Sequence, residues 1–215
     1  MMQFTDVERE RIKQAVQQAE RGTKGEIVPM IVPASALYRE AGYRTGLMLA
    51  LLMLAVLLTL EMYWLPWGWH AGNAGWLMLA VVVAYGFGQW LGTIPMMIRL
   101  VTSRERLAYK VRLRAEQAFY QHGLHNTKDR TGILILVSLL ERRVHVLADK
   151  GINERVPAGT WDSLVISILD GIRTGHATDS ICEAIAKCGA LLAQVSPADS
   201  GDNPDELPDT LIQET

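Results

Sequence analysis

At 215 residues, with 20% charged residues and a formal net charge of -2, the chain has room for one modest domain and an appendage. That balance excludes a disordered chain, a polytopic transporter and a whole-chain footprint for nucleic acid. Apolar residues make up 49% and concentrate between Gly46 and Ile98. The two cysteines, Cys182 and Cys188, point in different directions on a predicted helix. They fit small buried thiols in a reducing compartment, not a disulfide or a short-spaced metal pair.

The chain starts "MMQFTDVERERIKQAVQQAERGTKGE", which is polar and reads as a helix, not a secretory signal. Thr5 and Glu8 make a capping box, and Ile12, Ala15, Val16 and Ala19 share one face. "GEIVPMIVP", residues 25–33, reads as a strand, and Pro29 inside it argues for an edge position or a bulge.

The middle of the chain then turns apolar. "GLMLALLMLAVLLTL", 46–60, has no charge, and the run resumes after Glu61 to Leu65. "GWLMLAVVVAYGFGQWLGTIPMMI", 75–98, has none. About 20 apolar residues cross a hydrocarbon core, so the two runs are expected to form a transmembrane hairpin, 46–65 and 75–98, with Glu61 at the interface. Tyr63, Trp64, Trp67, Trp69 and Trp76 suit the headgroup region, and Pro66, Gly68, Gly72 and Asn73 the turn. Arg39 and Arg44 precede the first run; Arg99, Arg104, Arg106, Lys110, Arg112 and Arg114 follow the second. The positive-inside rule therefore predicts a cell inner-membrane protein of two spans with both termini cytoplasmic. The cationic stripe from Arg99 to Arg114 marks this topology and would also suit anionic lipid headgroups. Ala84, Gly88 and Gly92 form a small-residue face for close packing, within the hairpin or between protomers of a homo-oligomer. Pro95 is expected to kink the exit.

After the hairpin, Thr102 and Glu105 open a helix carrying Leu107, Val111, Ala115, Ala118 and Phe119. "GLHNTKDRTG" is a turn, with His122 and His125 closing the helix. "GILILVSLL", 132–140, is a strand buried on both faces, and "RRVHVLAD", 142–149, is its antiparallel neighbour across a tight turn at Leu140 and Glu141. Helices follow from near Thr160 to Gly175 and from near Thr178. The tail from Ser196 is acidic, with no cation, and is expected to be disordered or loosely docked. The order is α-β, hairpin, α-β-β-α-α, an α/β fold. Its domain is split into 1–42 and 100–195, with a hairpin at 43–99 and a tail at 196–215. Neither half has enough core alone. A helical crossover makes the first and second strands parallel.

This topology puts Asp149 opposite Gly132 and gathers Glu26, Asp129, Asp149 and Glu154 at one end of the sheet. Such oxygen-rich groups suit calcium or magnesium. They equally suit a salt-bridged rim neutralised by Arg130, Lys150 and Arg155. His145 shares a face with Arg143 and Asp149 and reads as a solvated strand histidine before a general base. Ser138 and Glu141 fall at the opposite end and make no triad with Asp149. No phosphate-binding glycine loop, zinc-protease signature or G-x-S-x-G elbow occurs, and no catalytic residue is named.

The stretches "GEIVPMIV", "TKDRTGILILVSLLERRVHVLADKGINERVP" with Trp161 after it, and "ELPD" resemble the TPM domain family. The resemblance implies a small three-layer α/β/α sandwich, here interrupted by the hairpin. Relatives are linked to acid phosphatase activity, calcium binding, photosystem repair and receptor assembly. Other members carry a G-y-G-l-E pattern after the third strand; the matching stretch here is "ADKGINE", where Asp149 replaces a small residue and Glu154 stands near the family's acid. The expected function is a non-enzymatic cytoplasmic module on membrane lipid that docks or stabilises a membrane protein partner, with a divalent cation as candidate ligand. The alternative is a metal-assisted phosphomonoester hydrolase.

Overall fold

The chain folds as a computed structural model that describes residues 4–63, 71–127, 130–197 and 210–213. Its elements are α1 (Asp6–Glu20), β1 (Glu26–Val32), α2 (Arg39–Tyr63), α3 (Ala71–Leu91), α4 (Pro95–Val101), α5 (Arg104–Gln121), β2 (Gly132–Ser138), β3 (Arg143–Ala148), α6 (Lys150–Asn153), α7 (Thr160–Thr174), α8 (Ala177–Val195) and β4 (Ile212–Gln213). They divide into two units, Met1–Ala36 with Ala108–Thr215, and Leu37–Leu107.

The first unit is built on a mixed sheet of order β3-β2-β1-β4. β1 and β2 are parallel, Glu26 beside Gly132 through Val32 beside Ser138, and every residue of both strands is buried. Such two-sided burial is what an apolar run without alternation predicts. β3 runs antiparallel to β2 and alternates between buried and half-buried, as a strand open on one face should. Ile27, Ile31, Ile133, Ile135, Val144 and Val146 face a core completed by α1, α7 and α8. Val28, Met30, Val32, Leu134 and Leu136 face Val111, Ala115, Ala118 and Phe119 of α5. Helices thus cover both faces of an α/β sheet. The capping box of α1 is formed: Glu8 accepts from the Thr5 N–H at 2.8 Å and Thr5 Oγ1 accepts from the Glu8 N–H at 3.3 Å.

Two expectations from the sequence need correction here. Pro29 does not mark an edge, because β1 has a neighbour on each side. The Glu26 N–H donates to Thr131 O and Val32 O accepts from the Leu139 N–H, so even-numbered residues direct their backbone groups toward β2. Odd-numbered residues face the other way, and the Ile27 N–H is taken by Glu20 Oε1 at 2.7 Å. The donor that Pro29 lacks lies on that side, ahead of the point where β4 joins at Met30. No bond of the β1–β2 ladder is lost. The tail is also not wholly loose: Ile212 and Gln213 add β4 parallel to β1, and Gln213 Oε1 accepts from the Arg9 guanidinium at 2.9 Å. The acidic residues Asp199, Asp202, Asp205, Glu206 and Asp209 lie outside the described residues.

The second unit is a helical hairpin. At 1.5 Å per residue, α2 and α3 are about 37 and 31 Å long, against a hydrocarbon core of about 30 Å. Both are long and apolar enough to cross a membrane, and only 11% of each apolar window is buried. Leu47, Leu51, Leu58, Val82, Val83 and Trp90 all face outward. The helices meet along small residues. A Cβ on Gly92 would stand 2.5 Å from Gly42 Cα, and one on Gly88 2.7 Å from Gly46 Cα. Ala84 and Ala50 extend the two stripes and are buried. The Ala84–Gly88–Gly92 face is therefore used within the hairpin, against a Gly42–Gly46–Ala50 face that no sequence pattern announces.

The ends of these helices also differ from expectation. α2 starts at Arg39, seven residues before the apolar run, because nothing in "REAGYRT" breaks a helix. α3 starts at Ala71, so Gly72 and Asn73 are helical rather than turn. Trp64, Pro66, Trp67, Gly68 and Trp69 lie outside the described residues. Pro95 does not kink a continuous helix. It sits in the first turn of a new one, α4, after α3 has ended at Leu91. Thr102 closes α4, and Ser103 opens α5 by accepting from the Arg106 N–H at 3.3 Å.

Adding one methyl group tests the packing. Gly92→Ala should lower the unfolding temperature of the detergent-solubilised chain, by an overpacking cost of about 1–3 kcal/mol. Gly86→Ala, whose Cβ would meet nothing within 4 Å, should leave it unchanged or raise it.

Candidate functional site

The carboxylates predicted to converge belong to the edge where β2 begins. The Asp149 N–H donates to Gly132 O at 2.9 Å, and Glu26 pairs with Gly132 from the other side. The register puts Glu26, Gly132 and Asp149 on the α5 face of three adjacent strands. Between the two acids, a 3-10 turn, Leu124–Asn126, presses on the sheet: a Cβ on residue 132 would stand 2.6 Å from Leu124 O. Only glycine fits there.

Asp149 caps α6, with Oδ1 accepting from the Lys150 N–H at 2.6 Å. Its Oδ2 is buried and has no hydrogen-bond partner among the described residues. The same holds for His125 Nδ1 in the 3-10 turn, while the His125 ring packs 5.0 Å from Tyr120. Glu26 is buried and partnered. Glu154 is exposed and pairs with Lys150 at 3.6 Å. Asp129 lies outside the described residues. Of the expected neutralising cations, Arg155 instead donates to Val195 O at 2.9 Å, and Arg130 is exposed with a left-handed backbone, φ 53°. The loop after Asp149 is held by Asn153, whose amide donates to Ala148 O at 3.0 Å and accepts from Trp161 Nε1 at 2.9 Å.

Calcium takes six to eight oxygen ligands, and Asp149 Oδ2 is a hard donor of the required type. Among the described residues, however, no three His, Cys, Asp or Glu side chains gather to hold an ion. The edge offers donors of the right chemistry without a formed cage.

A second polar cluster lies at the carboxyl ends of β1 and β2. Glu141 is 5% exposed and accepts from the Ser35 N–H at 2.9 Å and from Ser138 Oγ. Ser35 Oγ donates to Ser138 Oγ at 2.8 Å. With the Leu139 N–H on Val32 O and the Leu140 N–H on Pro33 O, this cluster ties the exit of β1 to the β2–β3 turn. Ser138 is 1% exposed, so its hydroxyl serves as a buried lock between these segments. Ser138 and Glu141 lie at the end of the sheet that the sequence implies, whereas nothing in the sequence marks Ser35.

His145 is half-buried on the α5 face, and burial, then the Arg112 charge, hold its pKa below the ordinary 6.5, opposed by Glu116. Burial pushes the Cys188 thiol up to about 12 and raises that of Cys182. Both are free thiols, as their spacing implied.

The fold and this edge define a mixed α/β domain whose chain is interrupted, between two adjacent parallel strands, by an apolar helical hairpin. The chain carries a TPM domain: residues 95–191 match the model of that family. α1 and β1 precede the matched segment and are joined to it through the sheet. The structure is similar to the NMR structure of BA42 protein from the psychrophilic bacterium Bizionia argentinensis, with a TM-score of 0.60 and 21% identity over 99% of this chain and 97% of that one. At that identity the likeness concerns the fold. No curated protein matches the sequence.

The environment of His145 generates a pH dependence. On acidification the unfolded chain takes up the proton first, near pH 6.5, because the folded pKa is lower. This contribution is complete above that pH and is lost as pH falls toward the folded value. Chemical denaturation from about pH 7.5 to 5 should show a shallower acid decline for His145→Gln than for the parent chain.

Proposed function

We propose that this is an integral membrane protein, anchored by two spans in a cell inner membrane, whose TPM domain is a cytoplasmic docking or stabilising module for a membrane protein partner. The observation that carries the reading is the hairpin. Its two helices match the membrane thickness, pack on each other through glycine and expose apolar side chains along their outer faces. Exposed apolar surface on this scale calls for lipid or protein. The positive-inside rule supports the orientation, since Arg39 and Arg44 precede α3's partner helix core and Arg99, Arg104 and Arg106 follow α3. A docking role is favoured over catalysis because the Ser138 hydroxyl is buried, and burial raises the pKa of both the buried Cys188 and the half-buried Cys182.

A second reading places a divalent cation at the Glu26–Asp149 edge, either as part of the docking surface or in a phosphomonoester hydrolase. One observation favours it: a buried carboxylate oxygen without a donor is costly, and a cation would satisfy it.

Four measurements test these readings. The chain should remain in the membrane pellet after alkaline carbonate washing, and protease added outside intact spheroplasts should leave the segment after α3 uncut. Digestion of that segment would reverse the orientation. Calcium or magnesium at millimolar concentration should raise the unfolding temperature of the parent chain and not of Asp149→Ala if the second reading holds. Chelator-sensitive phosphatase turnover, lost in Asp149→Ala, would make the protein an enzyme.

A further inference from the structure

The chain beyond α3 is built differently from a plain exit. Thr93 and Ile94 close the helix with tight bonds to the carbonyls of Trp90 and Leu91, at 3.1 and 3.0 Å. Ile94 is extended, with φ -72° and ψ 131°, and Pro95 starts α4 without needing an N–H partner. Three residues span at most about 10 Å, so α4 starts within that distance of the end of α3. On the membrane reading, that is the headgroup layer, which is about 5–8 Å deep on each side of the hydrocarbon.

α4 is two-sided. Ile98 is buried, and the helix packs on α2. Met96 and Leu100, one turn apart on the other side, are 66% and 74% exposed. Arg99 lies between them and has no ion-pair partner among the described residues. Arg106 is held by Glu40 at 2.7 Å, which fixes the segment after α4 against the start of α2. At the same level of the hairpin, Trp90 and Tyr43 are exposed, as interfacial aromatic anchors are.

We propose that residues 95–101 form a collar that binds anionic phospholipid: Met96 and Leu100 enter the acyl boundary, while Arg99 meets the phosphate. This rests on the two-span reading above. Its grounds are continuity with a membrane-length hairpin and the pairing of exposed apolar side chains with a cation on one short helix. A protein partner would not require Leu100 and Arg99 to act together on a lipid.

The test uses the full chain purified in a neutral detergent, titrated separately with dioctanoyl phosphatidylglycerol, dioctanoyl phosphatidylcholine and inorganic phosphate. Phosphatidylglycerol should bind at least fivefold tighter than phosphatidylcholine at low salt, and the preference should shrink as salt rises. Arg99→Gln should weaken phosphatidylglycerol binding about fivefold, while Arg99→Lys retains it. Leu100→Gln should weaken phosphatidylglycerol without changing the phosphate titration. Equal binding of the two lipids overturns the inference, and so does full competition by inorganic phosphate, which would mean a plain anion site. Carbonate washing of the same membranes separates the causes. A chain that washes off ends the two-span reading and this inference with it; one that stays but shows no lipid preference ends the inference alone.

Discussion

The parallel pairing of β1 with β2 governs this molecule. Seven residues of each strand match in register, from Glu26 beside Gly132 to Val32 beside Ser138, and all are buried. Strands so far apart in sequence gain nothing locally by meeting. Loop closure grows only slowly with length, so a long excursion between them is tolerated if the pairing itself is strong. The buried lock of Ser35, Ser138 and Glu141 adds hydrogen bonds at the point where the chain leaves β1. The sheet, its two helical coats and the placement of Glu26 next to Asp149 all follow from that one register.

Much of this was legible because the signals were local and strong. The continuous run in β2, the alternation in β3 and the short turn between them fix an antiparallel pair, and that pair fixes Asp149 opposite Gly132. Thr5 with Glu8, Gly175 after α7 and the absence of charge in the hairpin are equally direct. What escaped the sequence depended on partners distant in the chain. Pro29 argues against an inner position only if its missing N–H would face a paired neighbour; here it faces the side where Glu20 takes the preceding donor, ahead of β4. The tail becomes a strand through two residues, Ile212 and Gln213, too few to stand out by pattern. Gly42 and Gly46 looked like ordinary positions ahead of an apolar run until Gly92 and Gly88 were set against them.

The candidate site was legible as a place more than as a device. Topology brings Glu26 and Asp149 to one rim, but side-chain chemistry there depends on local geometry. Asp149 is drawn to cap α6, and Glu154 turns outward to Lys150. The 3-10 turn over Gly132 fills the space between the acids, an approach that no motif announces. The same glycine that permits the turn to dock therefore helps to shape the rim.

The glycine contacts of the hairpin carry an architectural consequence. Gly42 near the entrance of α2 and Gly92 just past the exit of α3 lie in backbone contact. The polypeptide departs and returns through almost the same point, so the excursion behaves topologically as a short connector. Segments of this kind are grafted into or trimmed from a loop without disturbing strand order, since the distance to be bridged stays small. An apolar hairpin built this way is a detachable module, whose removal leaves only a short gap to close.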